Sequence, residues 1–197
     1  MNSISERPPL PATRTYWLQG RSPLVHAVVL VLTFVALVLS SYATVPMVPV
    51  PMTLQTLAVL LAGALLGWRL GMIVIIAWLV LAAAGLPLLS NGGGGVRHFV
   101  GPTGGYLVAF PLAAGLVGWL VERGWNGEHA IRALGAFLLG HVVCLLLGGI
   151  WLAAAIGPTK AWLHGILPFL LGGVMKSVLG TTLLKVLALR ARASAWA

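Results

Sequence analysis

Long apolar runs, separated by short polar or proline-rich segments, dominate the sequence. Residues 22–68 carry no charge, yet this run is too long for one membrane-spanning helix, which needs about 20 apolar residues. The segment VPMVPVP at 45–51 divides the run, because proline lacks the helical N–H donor and disfavours helix in the residue before it. The pattern therefore predicts a first helix over 24–43 and a second over 53–67.

Four further apolar runs predict four more membrane helices. Their predicted bounds are 70–86, 105–121, 133–156 and 165–189. The glycine-rich segment SNGGGGVRHFVGPTGG at 90–105 lies between the third and the fourth helix. The sequence thus predicts an all-α membrane protein with six transmembrane helices.

The predicted helices form one transmembrane domain over residues 23–190. It lies between an N-terminal segment at 1–22 and a tail at 191–197, both predicted to be cytoplasmic. The sequence Ser41-Tyr42-Ala43 resembles the cleavage site of a signal peptide, but the apolar run before it is long for such a signal. We therefore expect the first helix to be retained.

Lysine and arginine are unevenly distributed between the two sides that the predicted helices define. Of 12 such residues, nine lie on the side of the N-terminus: Arg7, Arg14, Arg21, Arg69, Arg123, Arg132, Lys185, Arg190 and Arg192. The opposite side carries Arg97 and Lys160, and Lys176 lies inside the sixth helix. Because positively charged loops remain in the cytoplasm, we predict a multi-pass protein of the inner (plasma) membrane with both termini cytoplasmic.

The composition supports contact with membrane lipid and excludes several classes of function. Only 8% of the residues are charged, against roughly 25% in soluble domains. The net charge of +9 comes from cations scattered at the ends of apolar runs, without the basic patch that nucleic acid binding needs. All three acidic residues are glutamates, none of them near a histidine in a predicted helix, and one cysteine excludes a CxxC site. We therefore predict no metal, no cofactor, no catalytic residues and no enzymatic activity.

Lys176 is the unusual residue of the sixth helix, because it lies far from either end. A charge at the centre of a bilayer costs about 2.5–3.5 kcal/mol on insertion scales. Pro168, Gly172 and Gly180 share its helical face, and small residues allow neighbouring helices to approach, so the lysine is expected to point into the bundle. With no acid predicted at that depth, its partner is either an acceptor supplied by a ligand or the carbonyl groups of the backbone.

The glycine-rich segment at 90–105 is the second candidate for ligand binding. Irregular backbone at membrane depth is stable only inside protein or beside a wet cavity. Glycines let backbone N–H groups approach a ligand, and the start of the fourth helix favours a carboxylate. The candidate contacts are Asn91, Gly93, Gly94, Gly101, Thr103 and Gly104. Arg97 and His98 can attract anions at the mouth of the site, and the alternative interpretation is a flexible extracellular loop.

Three further features of the sequence each have two interpretations. Tyr106 either contacts a ligand or belongs to the aromatic belt at the membrane interface, and the same choice applies to Trp151. Ala36 and Ser40 form a stripe of small residues on the first helix, which serves either internal packing or docking of another membrane protein. A GxxxxGK[ST] phosphate loop is absent, so ATP hydrolysis would need another polypeptide.

Three segments in combination resemble the BioY family: VPVPMTLQTLAVLLAGALLG (48–67), LPLLSNGGGGVRHFVGPTGGYLVAF (86–110) and HGILPFLLGGVMK (164–176). The resemblance covers most of residues 24–190. It implies a compact six-helix S component of an energy-coupling factor (ECF) transporter that captures biotin near the outer face and releases it inside. It also implies a transmembrane coupling protein and two ATPase subunits as partners, and no enzymatic activity.

The resemblance assigns roles to several residues of this chain. Lys176 matches a lysine that is expected to contact biotin. The family usually has an aspartate three residues earlier, where this chain has Gly173, so an acceptor for the ureido N–H groups and a counter-charge are missing. Asn91 corresponds, with an offset of two positions, to an asparagine of some members, and Leu107 replaces an arginine. An S-type subunit for a different small vitamin or anion is therefore the alternative function.

Overall fold

The computed structural model describes residues 22–194 and the side chains of residues 22–190. Seven α-helices, α1 to α7, follow one another: Pro23–Tyr42, Gln55–Ala83, Arg97–Val100, Gly104–Glu122, Ala130–Ile156, Pro158–Ala161 and Leu167–Ser194. A π-helical segment, Trp162–Ile166, joins α6 to α7. Within the described residues, five helical stretches are long and apolar enough to cross a membrane, the last of them Pro158–Arg190. Predicted features at residues 1–21 and 195–197 lie outside the described residues.

The second of these stretches, α2, is a helical hairpin rather than one straight helix. Gly67 interrupts it with φ 79° and ψ 174°, a conformation that glycine adopts far more readily than other residues. A Cβ built on Gly71 would lie only 2.8 Å from the Cα atom of Gly63, whereas eight residues span about 12 Å along a straight helix. The chain therefore reverses at Gly67, which agrees with separate predicted helices over 53–67 and 70–86.

A small antiparallel sheet precedes α2. Strand β1 (Thr44–Val45) pairs with strand β2 (Met52–Thr53), with Thr44 opposite Thr53. The sequence does not predict this sheet, because two-residue strands are too short to leave an alternating pattern. The pairing brings the chain back to the bundle after the proline-rich segment and holds Thr53 at the entrance to α2.

Small residues bring α2 and α4 into close contact. A Cβ on Gly63 would overlap the carbonyl group of Ala114, and a Cβ on Gly118 would lie 2.5 Å from the backbone nitrogen of Trp68. Lipid tails are as apolar as the helix surfaces, so van der Waals contact at this short distance is a main source of helix association in membranes. Glycines at these positions therefore allow α2 and α4 to pack closely.

Helix α1 packs on the bundle through one stripe and exposes the rest. Thr33, Leu37 and Ser41 are buried and lie one turn apart. Ala36 is exposed, and Ser40 is half-buried with its hydroxyl donating to the Leu37 carbonyl at 2.8 Å. The stripe predicted for docking thus lies beside the packed face and toward the outer surface, and its docking role stays a prediction.

Two predicted segments have more helix than expected. The sixth predicted helix, 165–189, begins earlier, at Pro158, and continues to Ser194, which includes part of the predicted tail. The glycine-rich segment contains a 3-10 turn at Ser90–Gly92 and the short helix α3. The backbone N–H of Gly95 donates to the Ala82 carbonyl at 2.7 Å, so this segment is attached to the end of α2.

Candidate ligand-binding site

A cavity lies between the start of α2, the glycine-rich segment, α4, α5 and α7. Its empty volume is about 700 Å³, part of which is open to solvent. Apolar side chains such as Leu107, Phe110 and Phe169 form much of its wall. A smaller number of polar groups reaches it from each surrounding element, and this composition is typical of a ligand site.

Lys176 lines this cavity, as the face of its helix predicts. Its Nζ atom donates to the carbonyl oxygen of Thr53 at 2.6 Å and to Oγ1 of Thr56 at 3.0 Å. An ammonium group has three N–H donors, so these two partners among the described residues leave one donor for a ligand. No carboxylate of the described residues lines the cavity. The two interpretations of Lys176 are therefore compatible with each other. Protein acceptors pair with two of its N–H donors, and the third donor remains for a ligand.

Tyr106 is buried and joins the cavity to the segment that precedes α7. Its hydroxyl donates to the Gly165 carbonyl at 2.7 Å, and its ring stacks on Phe169 with centroids 6.3 Å apart. Only 7% of Tyr106 is exposed, which does not fit a position in an interfacial belt. Thr103 also lines the cavity and donates its hydroxyl to the His98 carbonyl at 3.0 Å.

Three buried side-chain nitrogens of residues that line the cavity have no hydrogen-bond partner among the described residues. They are Nε2 of Gln55, Nε2 of His98 and Nε2 of His141. The Gln55 amide is oriented by its oxygen, which accepts from Oγ1 of Thr53 at 3.1 Å. A buried polar group without a partner costs about 1–3 kcal/mol. Three such atoms at one cavity are groups that a polar ligand or a water molecule can pair.

His98 lies on the short helix α3, outside the membrane-spanning helices. Burial, and then the neighbouring positive charge of Arg97, lower the pKa of His98 below its usual 6.5. The ring is therefore neutral at pH 7 and can serve as a hydrogen-bonding group rather than as a fixed positive charge. Arg97 is exposed, and its attraction of anions at the mouth of the site stays a prediction.

Comparison with known proteins identifies the family of this chain. The profile of the BioY family matches residues 12–193. The probable biotin transporter BioY of Pyrococcus horikoshii is 40% identical over 149 residues, which are 75% of this chain and 87% of that protein. The biotin transporter BioY of Rhodobacter capsulatus is 39% identical in an alignment of 167 residues that covers 77% of this chain and 87% of that protein. The chain belongs to the BioY family.

A solved structure also matches this BioY fold. It is the crystal structure of the S-component for biotin from an ECF-type ABC transporter. The TM-score is 0.76 with 26% sequence identity, over 86% of this chain and 95% of that chain. The match confirms the predicted all-α S-component fold.

Gly173, the position at which the family resemblance predicts an aspartate, lines the cavity. A Cβ built on Gly173 would lie 3.5 Å from Cδ2 of His141, which is ordinary van der Waals distance. The ring of His141 therefore occupies the space beside the missing side chain. The sequence predicted the missing acceptor at Gly173 but not this neighbour.

The other predicted glycine contacts lie in the framework around the cavity rather than in its lining, as far as the described residues show. A Cβ on Gly93 would lie 2.8 Å from Cε1 of His98, and a Cβ on Gly94 would overlap the Leu86 carbonyl. Gly104 permits the same kind of close approach to Phe99. Close packing thus explains why these positions are glycine. Ligand contact by their backbone stays a prediction.

Asn91 and Trp151 also lie outside the described lining of the cavity. Asn91 has φ 55° and ψ 33° within the 3-10 turn, a left-handed conformation that asparagine tolerates, and Ser90 lines the cavity beside it. The indole N–H of Trp151 donates to the Gly101 carbonyl at 2.9 Å, and 41% of the side chain is exposed. This exposure agrees with the belt interpretation, while the hydrogen bond ties α5 to the end of α3.

Sequence reasoning did not select Gln55 or His141 as cavity groups. Gln55 lies inside the TLQT motif that carries the family resemblance, and this was the available signal for it. His141 is a lone polar side chain within an apolar helix, and such residues usually face the bundle interior. The described residues contain no group of three or more metal-ligating side chains, so no metal centre is seen at this cavity.

Proposed function

We propose that this chain is the biotin-binding integral membrane subunit, the S component, of an ECF-type vitamin uptake transporter. It captures biotin at the outer face and releases it inside when coupled to its partners. Those partners are a transmembrane coupling protein and two ATPase subunits. The protein resides in the inner (plasma) membrane with both termini cytoplasmic, an orientation supported by the distribution of lysine and arginine.

One observation carries the proposal. This member of the BioY family has a cavity whose lining residues include buried polar atoms without partners among the described residues. Biotin offers a carboxylate, an apolar thiophane ring and chain, and a ureido group with one carbonyl and two N–H donors. The apolar wall suits the ring and the chain. The free donor of Lys176 and the unpaired nitrogens of Gln55, His98 and His141 suit the polar ends.

The predicted contacts divide into two groups around this ligand. Lys176, Thr103, Tyr106 and Gly173 line the cavity, and we propose that they contact biotin directly. The remaining predicted residues support the cavity wall: Asn91, Gly93, Gly94, Gly101, Gly104 and Trp151. On α1, the exposed stripe with Ala36 and Ser40 is the proposed docking surface for the coupling protein.

Isothermal titration of the purified protein in detergent tests the proposal. Biotin is titrated in parallel with desthiobiotin, which keeps the ureido ring but lacks sulfur, and with vitamins that have no ureido group. Biotin is expected to bind with a dissociation constant well below those of the unrelated vitamins. Absence of biotin binding up to about 1 mM, a standard free energy near −4 kcal/mol, contradicts the proposal.

A different small vitamin or anion is the second candidate for the ligand. The observation that favours it is Gly173, which leaves the described lining of the cavity without any carboxylate. In the same titration, a vitamin that binds more tightly than biotin supports this alternative.

A further inference from the structure

His141 is the buried histidine of α5, and only 5% of it is exposed. Its Nδ1 atom lies 3.0 Å from the Phe137 carbonyl oxygen and 3.1 Å from Oγ of Ser177. Its Nε2 atom is buried and has no partner among the described residues, although the residue lines the cavity. One nitrogen of the ring is thus held by the protein, while the other is an unpaired group of a residue at the wall of the cavity.

The hydrogen bonds assign the protonation state of the ring. A carbonyl oxygen only accepts, so Nδ1 carries the proton that it donates to Phe137. The Ser177 hydroxyl donates to the Gly173 carbonyl at 2.8 Å, so its own proton is already used and its oxygen shares the Nδ1 proton. Nε2 of a neutral ring is then a bare acceptor.

The charge of the surroundings keeps this ring neutral. Lys176 lines the same cavity, and none of the described lining residues is a carboxylate that could balance a second positive charge. Burying an uncompensated charge costs far more than burying a hydrogen-bonded neutral group. Nε2 of His141 is therefore an acceptor that the described part of the protein leaves unused.

The acceptor Nε2 of His141 complements the hydrogen-bond donors that line the cavity. Lys176 Nζ and Gln55 Nε2 can only donate hydrogen bonds to a ligand. Gly173 contributes no side chain, and the His141 ring lies beside it, at 3.5 Å from the position of a Cβ. A ligand with both carbonyl and N–H groups would use donors and acceptor together.

We propose that Nε2 of His141 accepts a hydrogen bond from an N–H group of the bound ligand and so determines specificity for a cyclic urea. This inference rests on the proposed function, in which that N–H belongs to the ureido ring of biotin. Ser177 and the Phe137 carbonyl act as positioning groups, because they fix the tautomer that leaves Nε2 as the acceptor.

The test combines variants with modified ligands in isothermal titration. Wild type, His141→Leu and His141→Gln are titrated with biotin and with biotin methylated on one or the other ureido nitrogen. His129→Leu, an exposed histidine outside the cavity lining, is the matched control. We expect His141→Leu to weaken biotin binding by about 5- to 150-fold, because the ligand N–H loses its partner in a buried site. His141→Gln retains an amide acceptor and is expected to lose less.

The methylated ligands decide whether the contact is direct. One of them removes the N–H that His141 binds, so wild type is expected to bind it more weakly than biotin, and His141→Leu should show no further loss. Equal losses for biotin and both methylated ligands indicate a merely structural role and overturn the inference. An unchanged biotin affinity in His141→Leu overturns it as well.

Folding is controlled separately. If His141→Leu is not monodisperse by size-exclusion chromatography, His141→Phe, which also lacks an acceptor, replaces it. Selectivity for the free N–H that is lost in this variant supports the inference, and unchanged selectivity overturns it. Failure of wild type to bind biotin contradicts the proposed function. Biotin binding without any dependence on His141 contradicts only this inference.

Discussion

The ammonium group of Lys176 donates to the carbonyl oxygen of Thr53 at 2.6 Å, across a separation of 123 residues. This hydrogen bond joins the middle of α7 to the end of the small β-sheet and to the entrance of α2. The lysine thus has a structural bond at the same place where it can meet a ligand. Its removal should affect both stability and binding, and the two effects can be measured separately.

Lys176→Met should weaken biotin binding by about 1.5–3 kcal/mol, roughly 10- to 150-fold, because a charged hydrogen bond to the ligand is lost. Methionine keeps most of the side-chain volume, so the cavity wall is preserved. Isothermal titration measures the affinity, and Lys160→Met, at an exposed cation outside the cavity, is the control. Equal affinity for biotin in Lys176→Met and wild type would show that the role of Lys176 is purely structural.

Tyr106→Phe should lower the free energy of unfolding by about 1–3 kcal/mol, because the buried carbonyl of Gly165 loses the donor that lies 2.7 Å away. Thermal unfolding in detergent measures the effect. The control is Tyr42→Phe, whose hydroxyl donates to the Pro87 carbonyl at 2.8 Å in an exposed position and should cost less. A larger loss in the free energy of unfolding for Tyr42→Phe than for Tyr106→Phe would contradict this prediction.

Gly63→Ala and Gly173→Ala should act in opposite directions on stability. In a helix interior, alanine is favoured over glycine by about 1 kcal/mol. At Gly173 a Cβ meets its nearest neighbour at 3.5 Å, so this gain is retained. At Gly63 the Cβ overlaps the Ala114 carbonyl, and the forced separation of α2 and α4 should cost about 1–3 kcal/mol. Thermal unfolding of both variants is the measurement, and a stable Gly63→Ala protein would contradict the close contact.

His98 should make the folded state less stable in acid. Burial and Arg97 lower its pKa in the folded protein, so between that value and the ordinary 6.5 the unfolded chain binds more protons. The contribution of neutral His98 to the free energy of unfolding is therefore fully present above pH 6.5. It decreases as the pH falls toward the pKa of His98 in the folded protein. Unfolding of wild type and His98→Gln is compared between pH 7.5 and pH 5, values that we choose to bracket this range. The decrease should be smaller in His98→Gln, and identical curves would contradict the prediction.

Bulky substitution on the outer stripe of α1 should separate binding from transport. Ala36→Trp changes an exposed position that we propose contacts the coupling protein, so biotin uptake by whole cells should fall while titration gives an unchanged affinity. Leu171→Trp, at a residue of α7 that is 71% exposed, is the control for a merely lipid-facing change. Full uptake by Ala36→Trp would remove Ala36 from the proposed docking surface.

Much of the fold could be predicted because the hydrocarbon core imposes strong local rules. Charge is excluded from apolar spans and proline interrupts helices, so the break before α2 and the placement of Lys176 inside the bundle follow from residue type. The reversal within α2 was also predicted, although its position at Gly67 required the backbone geometry. The strand pair Thr44–Val45 and Met52–Thr53 was missed, since it is held by pairing rather than by a sequence pattern.

The sequence by itself determined that this is a helical membrane protein with one lysine well inside a membrane helix and no acid predicted at that depth. Only the tertiary structure decided that Thr53 and Thr56 receive this lysine, and that the His141 ring lies beside Gly173. The physical reason is that hydropathy and helical periodicity tell which face of a helix is buried. The contacts of that face depend on how closely distant helices approach, and here glycines set that distance through backbone packing.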